Sequence, residues 1–167
     1  MSQPIALAAH LRNAVTVLSV TPYEEDQLWL QNIISHSKWQ LYGADRLESA
    51  LAALHEHEVG VVLSEKELPP HSWTDMLRAI RGFQDSPEVI VTSRLADDRL
   101  WAEALNLGAY DVLTKPFDRH EVLRSVSSAW LTWHDKHGVA PDPAAPDDAA
   151  GRPQSEKELI DVQNTKR

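Results

Sequence analysis

Two hydroxyls and a lysine are the residues of this chain best placed to do chemistry. Thr92 and Ser93 close the apolar run Val89-Ile90-Val91, and Lys115-Pro116 closes the run that follows Gly108. A hydroxyl beside an ammonium can hold an anion, either a carboxylate or a phosphoryl oxygen, through directed donors and a fixed charge. The segment that carries them, Pro87 to Phe117, reads PEVIVTSRLADDRLWAEALNLGAYDVLTKPF. Two apolar runs bounded by turn residues and separated by one helix-length stretch read as a β-α-β unit with parallel strands. In such a sheet the functional side chains collect at the carboxyl ends of the strands. Thr92 and Lys115 are therefore expected side by side on one rim.

The elements that must position this rim repeat along the chain. Val15 to Val20 is a first strand closed by Thr21-Pro22, since Pro22 cannot continue a central strand. Glu24-Glu25-Asp26 suit a helix N-terminus, where they face the positive end of the dipole. Trp29, Leu30, Ile33 and Ile34 then recur at helical spacing up to about Ser37. Lys38 to Tyr42 reads as a short second strand. Leu47, Ala50, Leu51 and Leu54 mark the second helix, and Val59 to Leu63 is a strand apolar on both faces. Ser72 caps a third helix with Trp73, Met76, Leu77 and Ile80 on its buried stripe. Asp97-Asp98 open a fourth helix that Gly108 ends. Asp118 caps a fifth, lined by Val122, Val126, Ala129 and Trp133. Five such alternations predict a doubly wound α/β domain with right-handed crossovers. Trp130 and Trp133 are three apart on one helix surface; they read as core, and an exposed pair there would instead mark a partner or dimer face.

Composition bounds the classes of function. The chain has 167 residues, a formal charge of −9, 43% apolar residues and no cysteine. Disulfides and thiolate metal sites are excluded, and the acidic balance argues against a nucleic-acid partner. No apolar stretch approaches the roughly 20 residues of a membrane helix, and the first residues do not resemble a secretory signal. A cytoplasmic location away from membranes is the expectation. Residues 1–12 read as an N-terminal extension, 13–136 as the domain and 137–167 as a disordered tail. From Gly138 the chain reads GVAPDPAAPDDAAGRP, with four prolines and almost no large apolar residue, so it cannot bury enough surface to fold. Glu156 to Val162 reads as a solvated end that has the pattern for one amphipathic turn.

With these residues in place, the chain resembles the receiver domain of bacterial response regulators, in an atypical or pseudo-receiver form. Such domains carry a hydroxyl after the fourth strand and a Lys-Pro after the fifth, matched here by Thr92, Lys115 and Pro116. The resemblance implies a flavodoxin-like five-stranded parallel sheet, order 2-1-3-4-5, with five helices. It also implies a magnesium-binding acidic pair after the first strand and a phosphate-accepting aspartate after the third. The acidic pair aligns with Thr21 and Pro22, neither of which offers a carboxylate. Counting back four residues from Pro69 puts Glu65 in the phosphoacceptor position, with Ser64 the choice if one residue is skipped. The aromatic expected three residues before the lysine is Val112.

The resemblance and the departures together suggest a Glu65–Lys115 ion pair with a Thr92 hydrogen bond, and no cofactor. The expected role is a non-enzymatic, phosphorylation-independent interaction module in two-component signalling. Its partners would be proteins, such as a histidine kinase or a downstream signalling protein, or a second copy, bound through the rim and the faces around the fourth and fifth helices. One alternative is a true phosphate acceptor using Glu65 or Ser64, with magnesium held by shifted ligands among Glu24, Glu25 or Asp26. Another is a small hydrolase built on Ser64, His71 and Asp75, although no Gly-x-Ser-x-Gly elbow surrounds Ser64. His55 and His57, two apart, do not share a helix face and read as a solvated helix end.

Overall fold

Each of the five alternations contributes one strand to a single parallel sheet. The structure, a computed structural model, describes residues 14–138; the N-terminal extension, the tail beyond Gly138 and the Glu156–Val162 turn lie outside the described residues. In chain order the strands are β1 (Thr16–Val20), β2 (Gln40–Ala44), β3 (Val61–Glu65), β4 (Glu67–Leu68), β5 (His71–Ser72), β6 (Glu88–Ser93) and β7 (Asp111–Thr114). The helices are α1 (Glu24–Ile34), α2 (Leu47–Glu56), α3 (Trp73–Ile80), α4 (Asp98–Leu107) and α5 (Arg119–His137). The large sheet runs β2-β1-β3-β6-β7, all parallel, while β4 and β5 pair antiparallel as a separate hairpin. With the hairpin set aside this is the flavodoxin-like order 2-1-3-4-5, with five helices.

Strand side chains alternate between two faces, and each face has its own core. Leu18, Val20, Val62, Val91 and Val112 pack with α2, α3 and α4; Val17, Val61, Leu63, Ile90 and Leu113 pack with α1 and α5. Fully burying one such side chain contributes about 1.5–3 kcal/mol, so both faces are strongly held. The caps fall where the sequence puts them. Asp97 accepts from Leu100 N–H at 2.9 Å, Asp118 from Glu121 N–H at 3.0 Å, and Asp75 from Ser72 N–H at 3.0 Å. Gly108 ends α4 at φ 96°, a left-handed conformation that suits glycine.

Three expectations change. The second strand lies two residues later than Lys38–Tyr42, and β3 runs to Glu65 instead of stopping at Leu63. An apolar run reports burial, whereas the ladder continues through Ser64 and Glu65 because β1 and β6 extend alongside them. The first helix ends at Ile34, and Trp29 is 57% exposed, off the buried stripe. Trp130 and Trp133 are both buried, so they form no exposed aromatic pair. They seat α5 on Gly60, where a Cβ would come within 2.8 Å of each indole. None of the described helices is long and apolar enough to cross a membrane.

Candidate functional site

Strand register builds the site. In the β3–β6 pairing Glu65 stands beside Thr92, and the Thr92 hydroxyl donates to Glu65 Oε2 at 3.2 Å. Lys115 follows directly on β7, with its backbone N–H bonded to the Ser93 carbonyl at 2.9 Å. Its ammonium reaches back across the rim and contacts Glu65 Oε2. The pair expected from the sequence, with its threonine bond, is thus assembled.

The ammonium also has a second partner. Asp26 Oδ2 lies 2.6 Å from Lys115 Nζ, joining residues 89 apart in sequence. Asp26 accepts a further bond from the Thr21 hydroxyl at 3.1 Å, and Thr21 Oγ1 in turn accepts from Tyr23 N–H at 3.1 Å. Thr21 therefore enters the site as a hydroxyl that supports an acid from the next helix. The side chains of Lys115, Asp26 and Glu65 are only 3%, 10% and 8% exposed, so these groups must satisfy one another. The Tyr23 ring lies over the cluster, its centroid 4.9 Å from Lys115 Nζ.

Two carboxylates thus share one largely buried ammonium. Burial pushes the Glu65 carboxyl above its ordinary value; the Lys115 contact and the Thr92 bond pull it down, and the Asp26 charge pushes it up. Burial is the largest of these influences, and it disfavours the charged carboxylate more than the shared ammonium and the Thr92 hydroxyl favour it. The same geometry bears on the magnesium that the fold family implies. That ion needs several oxygen ligands, but the Lys115 ammonium stands between the two converging carboxylates. Among the described residues, no group of three or more metal-binding side chains comes together. The donor set does not fit a divalent cation.

The remaining candidates are distributed as follows. Ser93 is buried, and its hydroxyl accepts from Leu95 N–H at 3.1 Å, shaping the loop after β6. Pro116 follows Lys115 through a cis peptide. Pro22, Glu24 and Glu25 are exposed and outside the cluster, so the shifted ligand choices Glu24 and Glu25 are not brought to it. Ser64 is fully buried, and its hydroxyl donates to the Glu65 carbonyl at 3.2 Å. His71 instead approaches Glu48 at 3.3 Å and Asp75 at 3.8 Å, so the Ser64, His71 and Asp75 arrangement is not assembled. His55 lies against Phe83 and His57 stacks on Tyr42. Val112 is buried in the β2–β1–β3–β6–β7 sheet, and the Tyr23 ring lies over the Lys115 ammonium.

Asp26 is the functional residue that sequence reading underweights. A signal for it exists: Asp26, Leu30 and Ile33 fall at i, i+4 and i+7, so this acid lies on the apolar stripe of α1 while Glu24 and Glu25 do not. A charged residue on a buried stripe requires a buried partner.

A parallel sheet of this order, with a carboxylate, a hydroxyl and a Lys-Pro step ending its three adjacent strands β3, β6 and β7, defines the receiver class of α/β domain. The response regulator receiver domain family matches residues 24–127, and the chain belongs to that family, whose members serve two-component signalling. Among curated proteins it is 34% identical over 91 residues to "Transcriptional regulatory protein KdpE" of Mycobacterium tuberculosis, covering 54% of this chain and 40% of that one. It is 27% identical over 115 residues to "Sensory transduction protein RegX3" of Mycolicibacterium smegmatis, covering 68% and 50%. The chain thus spans half or less of the length of these two relatives. Among solved structures, the signal receiver domain of an HD domain-containing protein from Pseudomonas fluorescens Pf-5 superposes with a TM-score of 0.67 at 29% identity, covering 74% of this chain and 91% of that one. Chemotaxis response regulator CheY4 of Vibrio cholerae shares the fold with a TM-score of 0.63 at 18% identity, covering 70% and 99%.

Proposed function

We propose that this receiver domain works without phosphorylation, as a cytoplasmic, non-enzymatic relay or adaptor that binds a protein partner in a two-component pathway. The observation that carries this reading is the Lys115 ammonium held between Asp26 and Glu65, with Thr92 bonded to Glu65. A phosphate-accepting site needs a free carboxylate nucleophile, a bridging cation to screen its repulsion from the incoming phosphoryl group, and a lysine available for the developing charge. Here the nucleophile position is ion-paired and its pKa is raised, and the lysine is committed to two acids. The Glu65 carboxylate also sits against Lys115 and Thr92, where a phosphoryl oxygen would otherwise be received. The rim is therefore satisfied from within the chain, which favours one fixed surface for a partner such as a histidine kinase or a downstream effector.

The test is labelling by acetyl phosphate or phosphoramidate with magnesium present, followed by intact-mass analysis. The expected result is no phosphoryl adduct and no beryllofluoride-induced spectral change. A single adduct that disappears in Glu65→Gln would establish the alternative, a true phosphate acceptor at Glu65. An adduct that survives Glu65→Gln and disappears in Ser64→Ala would place it at Ser64.

A further inference from the structure

Above the buried ion triad lies an open cleft of about 210 Å³, with Tyr23, Lys66, Ser93, Arg94 and Leu95 around it and Lys115 among its lining. The charge of Lys115 is taken up by Asp26 and Glu65, so the cleft's available cations are Lys66 and Arg94. Neither has an ion-pair partner among the described residues. The Arg94 guanidinium lies 5.8 Å from the Tyr23 ring centroid, and a guanidinium carries five N–H donors that suit a carboxylate.

Both cations stand on fixed backbone. Lys66 N–H bonds the Thr92 carbonyl at 2.9 Å, and Leu95 N–H bonds the Ser93 hydroxyl at 3.1 Å, which holds Arg94 in a tight turn on the rim. Beside Arg94, Leu95 is 79% exposed, the most exposed large apolar side chain among the described residues. A cation pair next to an exposed leucine and a half-exposed tyrosine fits an acidic residue with an apolar neighbour. The lining holds two acids, Glu65, buried and paired with Lys115, and the exposed Glu67, which sets the limit on how much negative charge the cleft accepts. The chain as a whole carries −9. Acidic ligands are therefore repelled at long range, and attraction has to come from this local site.

We infer that this cleft docks an acidic, leucine-containing segment of a protein partner, its carboxylate paired with Arg94 and Lys66 and its apolar side chain covering Leu95 and Tyr23. The inference names the partner chemistry of the interaction-module reading and rests on it only in taking the domain to act by contact.

The test uses the full chain labelled with 15N and a short blocked peptide alternating glutamate and leucine, with a lysine–leucine peptide of equal length as control. Saturable amide shifts are expected at Tyr23, Lys66, Arg94 and Leu95 with the acidic peptide alone, weakening as salt is raised. Arg94→Ala and Lys66→Ala should each weaken binding by tenfold or more, with the urea midpoint little changed because neither side chain has an ion-pair partner among the described residues. Lys38→Ala, which removes an exposed cation outside the cleft, should leave binding within about twofold. No saturable shift, equal response to the lysine peptide, or undiminished binding in Arg94→Ala overturns the inference. So does inorganic phosphate that shifts the same amides and displaces the peptide. The labelling experiment stands apart: a phosphoryl adduct with peptide binding intact removes phosphorylation independence and keeps the docking site, and the converse result does the opposite.

Discussion

Replacing Lys115 by methionine keeps an unbranched side chain one atom shorter and removes the cation between two buried acids. Asp26 Oδ2 is 2.6 Å from Nζ, and Glu65 Oε2 touches the same nitrogen. The two oxygens are therefore within ~5 Å of each other, where like charges at an effective dielectric of ~20 repel by about 3 kcal/mol. Breaking a buried pair in this way costs about 3–5 kcal/mol. Protonation sets a ceiling on the repulsive part. The ordinary value for Glu65 is 4.5, so keeping it neutral at pH 7 costs about 3.4 kcal/mol at 1.36 kcal/mol for each unit. The expected loss at pH 7 is thus about 3 kcal/mol. Without the cation the folded-state pKa of Glu65 rises further above the unfolded value. Stability is then retained below the unfolded value and lost as pH rises through the folded one. The deficit of Lys115→Met should therefore shrink by about 2 kcal/mol or more between pH 7 and pH 4.5. Urea denaturation at several pH values reads this directly, as a midpoint lowered by roughly 1.5 M at pH 7 for a slope of about 2 kcal/mol/M. A loss below about 1 kcal/mol at pH 7, or one that does not vary with pH, refutes the ion-triad account.

Other perturbations separate the parts of the structure. Glu65→Gln leaves Lys115 paired one-to-one with Asp26, so its effect on stability should stay within about 1 kcal/mol in contrast to Lys115→Met. Since the folded-state pKa of Glu65 is raised, its contribution is present below the unfolded value and is lost as pH rises through the folded one. Glu65→Gln should accordingly gain on the native chain from pH 4.5 to 7 in the same urea series, and the opposite slope would show that Lys115 outweighs burial. Gly60→Ala drives a methyl against Trp130 and Trp133, which should cost about 1–3 kcal/mol. It should also alter tryptophan emission, and an unchanged midpoint would mean that α5 slides aside without loss.

The rim was legible from the sequence because strand direction decides it. Two apolar runs separated by one helix must lie parallel, and parallel strands end on the same side, so Thr92 and Lys115 could be brought together without coordinates. The caps Asp97, Gly108 and Asp118 were legible for a similar reason, since helix termini impose local backbone demands that few residue types meet. The β4–β5 hairpin was not readable: two-residue strands around Pro69-Pro70 carry no periodicity.

What the tertiary structure alone decided is which second acid shares the lysine with Glu65. Glu24, Glu25 and Asp26 form one acidic run at a helix N-terminus, equivalent by composition and by dipole. The rotation of about 100° per residue turns only Asp26 onto the stripe that packs against the sheet, and the packing of α1 over β1 then sets it beside Lys115. Helical spacing could mark Asp26 as inward, but its partner lies 89 residues away. Contacts at that separation depend on how layers stack, and no local pattern records it. The sequence thus determined the five strands of the parallel sheet, to within a few residues, and the rim they end on. The docking of one helix supplied a substitute acid and turned an expected ion pair into a shared, buried triad.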